Sequence, residues 1–243
     1  MIKTGNKEVK NSIQIIPIEM MEYSKGYELQ KNLHSQMLKN SDINLLLILQ
    51  HPHVYTLGRR ATENHILINK KELDKLKIQT HISNRGGEIT YHGPGQLVIY
   101  PLINIKQLQI SPIEYIRILE DIIINTLSEV NVTAERKSEC PGGVWANQKK
   151  IAAIGIRISR GITSHGFSLN ISTDLSYFNH IIPCGNPTET YTSLSEILDT
   201  DIPVSKIRKI IIKQISRKLN LIPKLVNVQK FYKQHSITPI KLT

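Results

Sequence analysis

A chain of 243 residues with 40% hydrophobic content can bury a core of its own, as one sizeable mixed domain or two small ones. Its 31 basic against 20 acidic residues leave +11 at neutral pH, which favours acidic partners: nucleic acid, anionic lipid or an acidic carrier protein. The start, MIKTGNKEVKNSIQ, lacks a signal-peptide core, and no run approaches the roughly 18 apolar residues of a membrane span. The expected setting is therefore cytoplasmic, with no membrane partner and with Cys140 and Cys184 as free thiols.

In chain order, Ser12 to Ile18 reads as a strand, and Tyr23 to Leu38 as a helix with Tyr27, Leu29, Leu33 and Met37 at helical spacing. The short apolar run Asn44 to Leu49 predicts a buried strand that ends in a polar loop, QHPHVYTLGRR. The sequence RGGEITYHGPGQL follows, and Gln96 to Ile105 predicts another buried strand with Pro101 at an edge or kink. Ser111-Pro112-Ile113-Glu114 is a capping box with proline at the first helical position, ahead of Ile116, Leu119, Ile123 and Leu127. Three strands joined by the turns Asn147-Gln148 and Arg160-Gly161 predict an antiparallel meander over Gly142–Ala146, Lys150–Ile158 and His165–Ile171. After a long loop, Ser172 to Tyr191, comes an amphipathic basic helix, Lys206 to Leu219. With no repeat or linker to divide it, the expectation is one α+β domain over residues 1–243.

Gly86-Gly87 and Gly93-Pro94-Gly95 let a backbone turn sharply or a ligand approach its amides. The stretch is neither a dinucleotide fingerprint nor a phosphate-cradling loop, and tight turns alone would account for it equally well. Between Arg85 and His92 the alternation of Glu88, Thr90 and His92 with Ile89 and Tyr91 gives a strand one polar and one apolar face. Cys184, in Ile-Ile-Pro-Cys-Gly-Asn-Pro, stands between a residue that fixes φ and one that tolerates any, which suits a reactive thiol on a loop. Cys140, in Ser-Glu-Cys-Pro-Gly-Gly, has a similar flank, and composition does not separate the two. A reactive thiol needs a neighbouring cation or base; Lys150 opens the apolar strand KIAAIG, but spacing alone does not promote it over the other basic residues. No pair of residues has zinc-ligand spacing, and aromatic content of 5% offers few platforms for nucleic acid, so neither metal nor nucleic acid is expected.

Taken in order, HPHVYTLGR, RGGEITYHGPGQLVIYP, GGVWA, KIAAIGIRI, HGFSLN, DLSYF, PCG and TSLSE resemble the lipoyl(octanoyl) transferases over roughly residues 44–196. That resemblance implies a fold shared with biotin protein ligases and lipoate ligases, and an acyltransferase that needs no cofactor and no ATP. The implied donor is octanoyl-acyl carrier protein; the implied acceptors are lipoyl domains of 2-oxoacid dehydrogenase E2 subunits and the glycine cleavage H protein. It puts the family cysteine on Cys184 and the family lysine on Lys150, rather than Cys140 or Lys149. Substrate positions carry over to Arg85, Gly86, Gly87, Glu88, Ile89, Thr90, Tyr91 and His92, to Ala153, Ile154 and Gly155, and to His165, Gly166, Phe167 and Ser168. Bare amides of the glycine stretch and of Gly185 would hold the oxyanion. His53, Ile99, Ser164 and Ser168 depart from the residues common in the family, and those departures bear on pocket shape and acyl length. The nearest rival is a ligase of the same fold, which would adenylate a free acid.

Overall fold

The computed structural model describes residues 11–39, 43–137, 141–182 and 188–235. Both cysteines and Gly185 lie outside the described residues. The first half of the chain runs β1 (Ser12–Met20), α1 (Tyr23–Lys39), β2 (Asn44–Gln50), β3 (Val54–Leu57), α2 (Lys70–Lys75), β4 (Gln79–Ile82), β5 (Ile89–His92) and β6 (Gln96–Leu102). The second half runs α3 (Pro112–Ser128), β7 (Gly143–Ala146), β8 (Lys149–Ser159), β9 (Ile162–Asn170), α4 (Leu194–Leu198), α5 (Val204–Leu219), β10 (Ile222–Leu225) and α6 (Val228–Gln234).

A seven-stranded sheet has the order β10-β1-β2-β6-β9-β8-β7, with β1 parallel to both neighbours and the other pairs antiparallel. Strand β2, NLLLILQ, is buried along its whole length because it lies inside this sheet with both faces covered. On one face Ile13, Ile15, Leu46, Ile48, Leu97, Ile99, Phe167 and Leu169 pack with Leu119, Ile123 and Leu127 of α3 and Ile207, Ile211 and Ile215 of α5. Each fully buried aliphatic side chain there contributes about 1.5–3 kcal/mol relative to exposure. On the other face α1 covers only part of the sheet, setting Leu29, Leu33 and Met37 against Leu47, Leu49 and Leu102. A second sheet, β4-β3-β5, stands over the remainder.

The predicted helix start at Ser111 forms as written: its hydroxyl accepts from the Glu114 amide, and the Glu114 carboxylate accepts from the Ser111 amide. Such a cap stabilises by about 1 kcal/mol. The meander also forms, and both turns need left-handed backbone: Asn147 and Gln148 have φ of 48° and 64°, Arg160 and Gly161 53° and 81°. That is the twist a two-residue hairpin requires. Pro101 sits inside β6, where it lacks a donor, but the ladder to β9 ends at Ile99, so no bond on that side is forfeited.

One expectation fails. QHPHVYTLGRR is not a polar loop, because Val54–Leu57 within it is buried strand β3, paired to both β4 and β5. A four-residue strand with Thr at its centre carries too little periodicity to be seen against the surrounding His, Pro and Arg. The basic helix has part of its charge paired: Arg208 with Glu19, Lys213 with Glu129 and Lys218 with Asp121.

Candidate active site

The face of β6, β9 and β8 left open by α1 is a floor, and its rows can be read from the register. Val98 pairs with Ser168, Ser168 with Ala153 and Ala153 with Gly143, giving one row of side chains across four strands. The adjacent row holds Gly166 and Gly155, which pair with each other. A Cβ on Gly155 would stand 3.2 Å from Arg85 Cδ, so the missing side chain is what lets the arginine lie against the sheet. Strand β5 forms the opposite wall, and the cleft between holds about 530 Å³ of empty space including its mouth.

Thirteen of the fifteen substrate positions carried over from the resemblance line this cleft: Arg85, Gly87, Glu88, Ile89, Thr90, His92, Ala153, Ile154, Gly155, His165, Gly166, Phe167 and Ser168. Of these, Ile154 and Phe167 border the cleft from the row of Ile99, whose side chains pack towards the helices. Gly86 and Tyr91 do not line it. The Gly86 amide is committed to the Ile156 carbonyl at 2.9 Å, which ties the loop to β8. Tyr91 points to the other side of β5, where its hydroxyl meets His53 Nδ1 at 2.8 Å and its ring stacks on Tyr177. Tyr23, Val98, Tyr100 and Gly142 also line the cleft. Val98 and Tyr100 follow from alternation against Leu97 and Ile99 once β6 is known to be covered on both faces. Tyr23, at the start of α1, had no local signal.

The glycine stretch divides into two parts with different duties. Gly87, at φ 84°, lines the cleft, and Gly58 presses against it, since a Cβ on Gly58 would stand 2.4 Å from the Gly87 carbonyl oxygen. Gly93 and Gly95 belong to the β5–β6 turn instead. A Cβ on Gly93 would meet the Tyr91 hydroxyl at 1.8 Å, and one on Gly95, at φ 78°, the Ser172 carbonyl at 2.5 Å. The amides of Gly86 and Gly95 are already bonded, to Ile156 and to Gln50 Oε1, so neither is available to an oxyanion.

The end of the cleft near Tyr23 is a cluster of rings held neutral. His51 donates from Nδ1 to the Met21 carbonyl at 2.6 Å and so accepts at Nε2 from the Tyr100 hydroxyl at 2.7 Å. Gln96 donates from Nε2 to the Tyr91 carbonyl and to Asn170 Oδ1, which leaves its Oε1 to accept from His92 Nδ1 at 2.6 Å. Burial lowers His51 to about 4; burial, then the His51 ring, lowers His92 to about 3. Burial, followed by the Arg85 and Arg157 charges, takes His165 to about 3. Beside them Arg85, 7% exposed, donates to the hydroxyl and carbonyl of Thr56 and to the Gly86 carbonyl.

Lys150 lies one row beyond the cleft lining, at the β7 end. Its placement depends on a bulge. Trp145 pairs with Lys150 but Val144 pairs with Ala152, so Ile151 is an extra residue in β8. In a regular strand Lys150 would share a face with Ala152, towards the helices; the extra residue turns it onto the face of Ala153 and Trp145. There it is 2% exposed, with Nζ 5.1 Å from the Trp145 ring centroid and 3.5 Å from Glu189 Oε2. Gly143 makes room, since a Cβ on it would stand 2.4 Å from the Trp145 ring and 2.9 Å from Lys150 Cε. Neighbouring Lys149 is exposed and pairs with Glu196. Two backbone bonds hold described residues nearby: the Ile182 amide donates to the His65 carbonyl, and the Lys150 amide to the Thr190 carbonyl, each at 2.8 Å.

Of the four departures, only Ser168 reaches the cleft. Ile99 faces the helices, His53 supports Tyr91 and Tyr177, and Ser164 faces a separate polar hollow beside Arg157. No helix among the described residues is long and apolar enough to cross a membrane.

Residues 22–216 match the family described as the lipoyl protein ligase A/B catalytic domain. The mitochondrial octanoyltransferase LIP2 of Arabidopsis thaliana is 40% identical over 196 residues, 81% of this chain and 83% of the relative. An octanoyltransferase of Solibacter usitatus is 42% identical, covering 73% and 80%. Among solved structures, a bi-partite lipoate protein ligase from Thermoplasma acidophilum superposes with a TM-score of 0.69 at 13% identity over 93% of this chain and 94% of that one, a likeness of fold.

Proposed function

The chain belongs to the octanoyltransferase family, and we propose that it carries an octanoyl group from acyl carrier protein to a lysine of a lipoyl domain, through a thioester on Cys184. The observation that carries the mechanistic part is Lys150, a lysine turned by a bulge onto the cleft side of the sheet and buried there. Lipoyl domains of 2-oxoacid dehydrogenases and the glycine cleavage H protein are the proposed acceptors, and residues 1–243 act as one catalytic domain.

In the first half-reaction the Cys184 thiolate attacks the thioester carbonyl, the bond from carbonyl carbon to carrier sulfur breaks, and the carrier thiolate takes a proton from the Lys150 ammonium. One thioester replaces another, so the step is close to thermoneutral. In the second, the acceptor ammonium gives a proton to the now neutral Lys150 and its amine attacks. An unperturbed lysine, near pKa 10.4, is almost wholly protonated at neutral pH, so this proton transfer is required. The amide forms, the Cys184 thiolate and Lys150 ammonium return, and one further proton leaves to water. The acyl chain lies over the floor of Val98, Ser168 and Ala153, against β5.

A ligase of the same fold would instead activate a free acid, so the test is nucleotide dependence. Purified protein, octanoyl-carrier protein and a lipoyl domain should yield octanoylated domain without ATP. Product that appears only with ATP and free octanoate would overturn the reading.

A further inference from the structure

A lysine ammonium at 2% exposure is costly unless a counter-charge accompanies it. Burial alone would drive Lys150 neutral, and a neutral lysine cannot favour a thiolate. Glu189, whose side chain is 9% exposed, places Oε2 3.5 Å from Lys150 Nζ. Its other oxygen accepts from the Trp145 indole N–H at 3.0 Å, and the Trp145 ring also lies against the ammonium. The backbone adds to this: the Lys150 amide donates to Thr190 and the Thr192 amide to Lys150, which fixes the stretch after Glu189 alongside the lysine. Among the described residues, the charged groups brought to this corner include Glu189 from that stretch and Lys137, whose Nζ stands 5.2 Å from the centroid of the Trp145 ring.

We propose that Glu189 is a positioning residue for the transfer reaction, holding Lys150 as an oriented ammonium through a carboxylate that Trp145 keeps in place. This rests on the reading that Lys150 serves the Cys184 thiol. After the first half-reaction the same carboxylate faces a neutral Lys150 and favours its reprotonation by the acceptor amine. The role assigned to Glu189 is exerted through the lysine, which its Oε2 faces.

The test is the rate of acyl-enzyme formation against pH, followed by intact mass with octanoyl-carrier protein, for wild type and Glu189→Gln. Removing the carboxylate favours the neutral lysine, so the alkaline fall in rate should move down by about one pH unit or more. Glu189→Asp should return that limb towards its wild-type position, even at reduced rate. A merely structural role would lower the rate without moving the limb, and a folded Glu189→Gln protein with the wild-type limb overturns the proposal. If that variant does not fold, Trp145→Phe replaces it: a smaller shift in the same direction is expected, and an unmoved limb overturns the proposal. Wild type that forms no adduct at any pH would instead refute the Cys184–Lys150 reading on which it rests.

Discussion

Two buried cations stand on the same side of the large sheet, and they are held by opposite means. Arg85 is surrounded by oxygens of Thr56 and Gly86 and by rings whose histidines burial keeps neutral. Lys150 faces the carboxylate of Glu189. A guanidinium does not lose its proton in a protein, so Arg85 is a fixed charge that props the wall of β5 against β8. An ammonium beside a carboxylate can lose and regain one. On the proposed reading Lys150 therefore moves protons, while Arg85 holds the wall of the cleft that it lines.

The largest effect that would sharpen this contrast is expected from Lys150→Met, which should lower turnover by about 10²–10⁴-fold, the scale of a lost acid–base group. It also leaves the buried Glu189 carboxylate without its cation, a destabilisation of about 3–5 kcal/mol. Adding Glu189→Gln should restore the melting temperature but not the activity; activity in the double variant would refute the assignment. Next is Gly143→Ala, whose methyl group must displace Trp145 or Lys150. Misplacing a reacting group by about 1 Å can cost on the order of 10²-fold, and kcat measured on the folded variant reports it.

Arg85→Met should behave differently. It takes the Arg85 donors away from the Thr56 hydroxyl and carbonyl, at about 1–3 kcal/mol of stability in denaturant unfolding, while kcat of the folded fraction changes only a few-fold. Full stability with abolished kcat would break the comparison.

Acid should act on the Arg85 end. His51, His92 and His165 have folded values of about 4, 3 and 3, below the unfolded 6.5. The unfolded chain therefore binds more protons in between. Stability is full above pH 6.5 and falls as pH drops towards 4, with a slope of up to about 1.4 kcal/mol per pH unit for each group. Unfolding at a series of pH values measures it, and a flat profile over that window would show that the cluster is not held neutral. The smallest effect is salt: turnover with acidic carrier protein should fall a few-fold as ionic strength rises. The three internal ion pairs of α5 limit the charge left for docking there, and a salt-independent rate would remove electrostatic docking altogether.

The fold was legible where local chemistry decides it: the Ser111 cap, the two left-handed turns and the apolar runs of β2 and β6. It was not legible at β3, whose burial comes from partners more than twenty residues away. Most of the cleft could be named because its residues cluster in three short motifs. The partners of Lys150 could not. Glu189 is distant in sequence, and the bulge at Ile151 that turns the lysine round leaves no mark in an apolar run such as KIAAIG. At Gly93 the turn is the reading that holds of the two left open, and the missing side chain gives clearance to Tyr91.

The central claim, a thioester on Cys184, is tested most directly by intact-protein mass spectrometry after mixing the protein with octanoyl-carrier protein without ATP, alongside Cys184→Ser and Cys140→Ser. An octanoyl adduct released by hydroxylamine, present in wild type and Cys140→Ser and missing from Cys184→Ser, is the predicted result. An adduct that survives in Cys184→Ser, or none on the wild type, would contradict it.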